Sequence, residues 1–348
     1  MEEMLAFRLV HGQSKPVAQH IPIPSPKPDE VLVKIVAAGV CHTDHTLLHS
    51  PEKVVGSVEK MPTITLGHEG AGVVEEIGTV VQTTHPGLTR GTRVALLCNN
   101  ACYEETCEFC CAGNDNLCSK LPRLGLAIDG TWASYTVIPA RSVVPIPEGI
   151  SSEIAAIATD AIITPLRALK AVAQLQNGQT VLVMGCGGLG LNAIQIAKYL
   201  GAGTVIGYDR REDSLARAKE AGADYVATPD NLVQSVNRED LTPHVILDLV
   251  ASQATLDQAM SVVKPGGKIV LVGQTSTELK FSVTNGIIKA AQILCSMWGT
   301  KADLEEAFQA IVKGKLTPKV QTRYMGDCPK VLQELDDGQL VYRAVLVP

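Results

Sequence analysis

The run VLVMGCGGLGLNAIQIAK, residues 181–198, restricts the fold of this chain more than any other stretch. An apolar strand reads directly into Gly185, Gly187 and Gly190, with Gly188 and Leu189 between the last two, and a helix opens behind them. In a G-x-G-x-x-G turn placed this way, the first glycine permits the tight turn and the second lets backbone approach a pyrophosphate. The third lets helix and strand pack closely, and the helix N-terminus presents its positive dipole end. Short, fully apolar strands need cover on both faces. The following segments supply it: TVIGYD, REDSLARAKEAGA, HVILDLV, QATLDQAMSVV and KIVLVGQ alternate strand with helix. This pattern predicts an α/β Rossmann fold, a doubly wound parallel sheet. The strand TVIGYD ends in Asp209, 19 residues beyond Gly190, where an acid accepts adenosine ribose hydroxyls and repels a 2′-phosphate. NAD is therefore expected rather than NADP. Arg210 and Arg211 beside it pull the other way, because arginine can also bind a 2′-phosphate.

Ahead of residue 160 the texture differs. EVLVKIVAAGV, GAGVVEEIG, GTRVALL and ASYTVIPA read as short strands bounded by Gly or Pro, and HIPIPSPKPDE reads as an extended surface connection. SSEIAAIATDAIITPLRALKAV carries helical periodicity behind a capping serine. After the Rossmann rhythm, ADLEEAFQAIVKGK reads as a helix and YRAVLVP as a closing strand. The expected division is a mainly β domain built discontinuously from 1–160 and 298–348, around a nucleotide-binding domain at 161–297.

Six of the ten cysteines fall between Cys98 and Cys118. Cys107, Cys110 and Cys118 have the C-x2-C-x7-C spacing in which a knuckle brings two thiolates to one tetrahedral ion. Four protein ligands close a site, so this zinc is expected to be structural. Cys102 and Glu104 both remain candidates for the fourth place, the first as the softer ligand and the second by its regular spacing. Cys98 and Cys111 are then spare buried thiols. A second constellation is dispersed. Cys41 in GVCHTD, His68 in GHEGAG and Asp160 in ATDAIITP each supply one donor, and three such donors with an open fourth position describe a catalytic zinc site.

Composition closes off other classes. A net charge of −6 without basic blocks argues against nucleic acid as a partner. No apolar run approaches the ~18 residues of a membrane span, and the N-terminus does not read as a signal, so a cytoplasmic location is expected. In that compartment clustered cysteines are more readily metal ligands than disulfides.

Together AAGVCHTD, LGHEGAGVVEEIG, the cysteine lobe, GCGGLG and YRAVLVP resemble the zinc-dependent alcohol dehydrogenases of the medium-chain dehydrogenase/reductase family, over nearly the whole chain. The resemblance implies a chaperonin-10-like (GroES-like) catalytic domain beside the Rossmann domain, and one catalytic and one structural zinc per chain. It implies NAD-linked oxidation of a primary or secondary alcohol, or, in the polyol dehydrogenase branch, of a sugar alcohol. It places the catalytic zinc on Cys41, His68 and Asp160, where relatives commonly have cysteine at the third position. Asp44 and Glu69 match the acids behind the metal, and Thr43 matches the hydroxyl that carries the substrate proton. His42 and Arg343 match residues that approach the cofactor phosphates. Where the family often ends its proton relay in histidine this chain has Thr46, with His45 and His49 nearby. Cys98 falls near a place where relatives put an aromatic over the substrate, so more room for the alcohol is expected there. A homodimer or homotetramer acting on a small alcohol or carbonyl compound is implied.

Overall fold

A computed structural model describes residues 2–51, 54, 63–238 and 241–348. Its packing divides the chain into two units, Met1–Asp160 with Thr300–Val312 and Lys319–Pro348, and Ala161–Gly299 with Lys313–Pro318. Strands are numbered in chain order.

The first unit is mainly β. β1 (Glu3–Leu9) pairs with β2 (Val17–Pro22) and β4 (Ile64–Thr65) in a three-stranded sheet. The segment expected as a surface connection therefore begins inside a strand, since His20, Ile21 and Pro22 pair with Leu5, Met4 and Glu3. Pro22 is tolerated because β2 is an edge strand, where a missing donor breaks no interior ladder. The larger sheet centres on β3 (Glu30–Gly39), flanked by β5 (Gly70–Ile77) and β16 (Arg343–Val347). β6 (Arg93–Leu96), β7 (Tyr135–Pro139), β8 (Val143–Pro145) and β15 (Val320–Tyr324) complete it. Val31, Val33, Ile35 and Ala37 of β3 are fully or nearly fully buried. Two register shifts against β5 bend the strand, as bulges do.

Three chain segments meet through this pairing. Ala38 of β3 lies opposite Gly70 of β5, and Gly39 lies opposite Val345 of β16. The end of β3, the residues just before β5 and the start of β16 are thereby brought to one edge. A helix over Ser152–Ile157 packs on β3 and β5 and delivers a fourth segment. Ser151 caps it by accepting from the Ile154 N–H at 3.3 Å, and removing such a cap costs about 1 kcal/mol. Beyond Ile157 the helix widens into a π turn, Ala158–Ile162, which contains Asp160. Such turns recur at functional positions.

The second unit is the predicted doubly wound sheet. β9 (Thr180–Met184), β10 (Thr204–Tyr208), β11 (Tyr225–Ala227), β12 (Val245–Asp248), β13 (Lys268–Leu271) and β14 (Gln292–Cys295) run parallel in the order β11-β10-β9-β12-β13-β14. Counted within this unit, that is the 3-2-1-4-5-6 order of dinucleotide-binding sheets. Val181, Leu182, Val183 and Met184 are completely buried, as a strand covered on both faces requires.

Candidate active site

Where the ends of β3, β5 and β16 meet the π turn, Cys41, His68, Glu69 and Asp160 each offer a ligand atom within 4.8 Å of the others, and all four are buried. Cys41 begins the helix His42–His49 in extended conformation, so its side chain leaves the strand at the helix mouth. Asp44 in the first turn does two jobs. One carboxylate oxygen accepts the Cys41 backbone N–H at 2.9 Å, and the other accepts the His68 Nδ1–H at 3.0 Å. With its proton fixed on Nδ1, His68 presents a lone pair at Nε2. That atom is fully buried, has no hydrogen-bond partner among the described residues and lies 3.9 Å from Asp160 Oδ2. A buried polar atom left so is costly. Cys41 Sγ lies 3.6 Å from Asp160 Oδ2 and 3.5 Å from Thr43 Oγ1. An orphaned imidazole nitrogen facing a thiol and a carboxylate is the donor set of a zinc site, and these residues fit that ion.

The loop that carries His68 is tightly held. Gly67 has φ +91°, and a Cβ there would come within 2.2 Å of Trp132 Cδ1. Trp132 is fully buried, with its Nε1–H donating to the Gly39 carbonyl at 3.1 Å, and Thr131 Oγ1–H donates to the Glu69 carbonyl at 2.9 Å. Sequence reasoning did not single out Thr131 or Trp132. The glycines bracketing His68 and Glu69 were the available signal that something packs close.

Charge in the cluster is compensated from the far end of the chain. Arg343 donates to both Glu69 oxygens, with Nε 3.2 Å from Oε2, and its Nη2 lies 2.9 Å from Asp160 Oδ2. Burial opposes ionisation of Asp160, but His68 and the Arg343 guanidinium together hold its carboxyl well below the usual range. Burial instead pushes Glu69 up to about 8, against the pull of Arg343. Arg343 was expected to approach cofactor phosphate. Here it is 5% exposed and engaged by two buried carboxylates. The reason is electrostatic: two carboxylates out of water require a fixed cation. His42 is exposed at the start of its helix. His45 and His49 stack on each other with centroids 4.1 Å apart, and His45 Nε2 lies 3.6 Å from Asp336. Cys98 is buried, with Sγ 3.3 Å from the Leu124 carbonyl.

A second group gathers Cys102, Cys107, Cys110 and Cys118, again with ligand atoms within 4.8 Å. The Cys102–Cys110 and Cys107–Cys118 sulfur separations are 3.8 and 4.0 Å. A tetrahedron with metal–sulfur bonds of ~2.3 Å has sulfur–sulfur edges of about 3.8 Å, so the four fit a closed zinc site. Cys110's backbone N–H draws the Cys107 thiol down to about 7, which favours the ligating thiolate. Of the two candidates for the fourth place, Cys102 lies in this group. The Glu104 carboxylate instead accepts from Lys120 Nζ at 2.6 Å on the surface. Cys111 is exposed and outside the group.

In the second unit the glycine turn joins β9 to the helix Gly188–Tyr199, with Gly187 as its N-cap. A Cβ on Gly190 would sit 1.9 Å from the Gly185 carbonyl, which only glycine avoids. Above Gly187 a Cβ would meet nothing within 4 Å, leaving the open face a pyrophosphate needs. Asp209 follows β10, and its carboxylate accepts the Cys186 and Arg211 N–H groups at 2.9 and 3.0 Å. Arg210 is exposed, and Arg211 Nε lies 3.8 Å from Asp209. The turn fits a dinucleotide.

Comparison with known proteins agrees with both units. Residues 27–148 match the family model described as alcohol dehydrogenase GroES-like domain, and residues 188–313 match zinc-binding dehydrogenase. An NAD-dependent alcohol dehydrogenase of Sulfurisphaera tokodaii is 35% identical, covering 99% of this chain and 100% of the relative. Acetophenone reductase from Geotrichum candidum, solved in complex with NAD, is 33% identical with a TM-score of 0.89, over 100% of this chain and 98% of that one. The alcohol dehydrogenase of Aeropyrum pernix is 33% identical with a TM-score of 0.87, over 99% and 100%. With its two families of metal donors, its glycine turn and a relative matched end to end, the chain belongs to the zinc-dependent alcohol dehydrogenases of the medium-chain dehydrogenase/reductase family.

Proposed function

We propose that this chain reversibly oxidises an alcohol to an aldehyde or ketone, passing hydride to NAD, with Cys41, His68 and Asp160 as the catalytic zinc ligands. Cys102, Cys107, Cys110 and Cys118 hold the structural zinc. One observation carries the reading: His68 Nε2 is buried, without a hydrogen-bond partner among the described residues, and faces a thiol and a carboxylate. Bound zinc supplies Lewis-acid polarisation of the substrate oxygen. The chain's own residues do the rest. Asp44 fixes the His68 tautomer, Arg343 balances Glu69 and Asp160, and Thr43, half-buried beside Cys41, takes the hydroxyl proton. His42, Gly185, Gly187, Gly188, Leu189, Gly190, Asp209 and Arg210 are assigned to the cofactor, with Asp209 selecting NAD.

Glu69 supports a second reading. Its carboxylate lies within the donor group, which suits the polyol branch of the family, where the glutamate can approach the metal. NADH formation measured across primary, secondary, aromatic and polyol substrates, with and without chelator, separates the two. Chelator-sensitive turnover of one class is expected. Absence of all turnover from protein shown to hold zinc and NAD would overturn both.

A homodimer or homotetramer is supported by the sheet edge at β14. Phe281, Val283, Ile287 and Ile288 beside it are 51%, 63%, 74% and 74% exposed, which is unusual for a solvated helix. Thiol ligands that must stay reduced support a cytoplasmic location. No helix among the described residues is long and apolar enough to cross a membrane.

A further inference from the structure

We propose that the N-terminal edge of the six-stranded sheet carries a binding site for a phosphate-type oxyanion, at which His244, Lys264 and Lys268 converge. A cavity of about 230 Å³ opens there, lined by these three residues, by Gln174, Gln176 and Gln179, and by the turn Pro265–Gly267. It lies at the starts of β9, β12 and β13. The glycine turn is at the other end of β9, roughly 17 Å away for five residues of strand. The two sites are separate.

The donors at this edge do not match one another. His244 Nδ1 lies 3.1 Å from the Thr180 backbone nitrogen, which can only donate, so Nδ1 accepts. A neutral imidazole then carries its proton on Nε2. Yet Nε2 lies 2.9 Å from Lys264 Nζ, and an ammonium also has only donors. The other tautomer merely moves the conflict to the Thr180 N–H. A negatively charged acceptor bonded to both Nε2–H and Nζ resolves it.

The surroundings select the same ligand. Among the described residues no Asp or Glu lines the cavity, although the chain is acidic with a net charge of −6. Neither Lys264 nor Lys268 has a carboxylate ion pair among the described residues, and Lys268 Nζ donates to the Ala173 carbonyl at 2.7 Å from the cavity wall. Burial and the Lys264 charge hold the His244 ring below its ordinary value, a penalty that an anion would reverse. The Gln179 side-chain carbonyl is taken by the Gln176 N–H at 3.0 Å, which leaves its amide N–H groups as further donors. A phosphate oxygen array suits these donors.

The test uses the whole protein with saturating NAD, so that the glycine turn is filled. Histidine labelled at Cε1 is followed by NMR while inorganic phosphate, or a phosphomonoester such as glycerol phosphate, is titrated against chloride at equal ionic strength. His244→Gln assigns the resonance. Lys264 faces the ring, so the readout is its titration midpoint. With phosphate the midpoint is expected to rise by about one unit, the effect of an opposite charge at short range. Lys264→Gln is expected to weaken phosphate binding about tenfold, the worth of one charge-assisted hydrogen bond. Response to the free ion alone marks inorganic phosphate as the ligand, and response to both marks a phosphate group in general. An unmoved His244 resonance, or equal shifts in chloride or in Lys264→Gln, overturns the site.

Discussion

The two donor groups of the first unit hold comparable chemistry by opposite means. The cysteine lobe takes its four members from residues 102 to 118, so one short loop can bring them together. The other group spans 41 to 160 and is balanced by Arg343, so its geometry exists only when β3, β5 and β16 have paired. The lobe is almost entirely sulfur. The dispersed group mixes a thiol, an imidazole and two carboxylates, each oriented by another side chain. A local loop can hold an ion for stability, whereas a site that polarises substrate needs donors fixed by the whole sheet.

The sharpest way to break this comparison is His68→Ala. Losing the imidazole removes several kcal/mol of Lewis-acid stabilisation, so kcat/KM is expected to fall about 10³-fold or more. Mass-spectrometric metal analysis should show one zinc equivalent lost and the lobe's retained. Loss of both would show that the two groups are not independent.

Cys102→Ala probes the opposite side. A quarter of the roughly 10–16 kcal/mol with which structural sites hold zinc is about 3 kcal/mol, so lobe zinc affinity should fall about 100-fold. Competition against a chromogenic chelator measures this directly. Proteolysis within the lobe should accelerate, while turnover per equivalent of remaining folded enzyme should change little. A collapse of turnover with zinc still bound would tie the lobe to the chemistry.

Asp44→Asn sharpens the distinction within the dispersed group. The amide is isosteric and can still accept from the Cys41 N–H, but it no longer requires the proton on His68 Nδ1. Losing such a partner typically costs 10- to 100-fold in metal affinity or activity. Zinc dissociation and kcat should therefore worsen together, with lobe zinc unaffected.

These differences also explain what could be read from the sequence. The glycine turn was legible because backbone sterics act over six residues: a side chain at Gly190 has nowhere to go, whatever the rest of the protein does. The C-x2-C knuckle was legible for the same local reason. Cys41, His68 and Asp160 could be nominated singly, but nothing near Asp160 announced the π turn that presents it, because helical periodicity reads the same through it. The carboxylate partners of Arg343 were not legible because its surroundings are set by β16 pairing with β3, across some three hundred residues of chain. The strand at His20–Pro22 was hidden by prolines whose cost depends on lying at a sheet edge.

The smallest expected effect decides the remaining ambiguity of the lobe. Sequence spacing admitted Glu104 as readily as Cys102, and a carboxylate two residues away has the length to swing inward. In the structure Glu104 is exposed and bonded to Lys120, while the Cys102 and Cys110 sulfurs stand 3.8 Å apart, the edge of a sulfur tetrahedron. A surface ion pair contributes little because water screens it. Glu104→Gln should therefore leave zinc stoichiometry, melting temperature and turnover within error of the parent. Loss of one zinc equivalent on that substitution would give the fourth place to Glu104 and make Cys102 a buried thiol of the lobe's core.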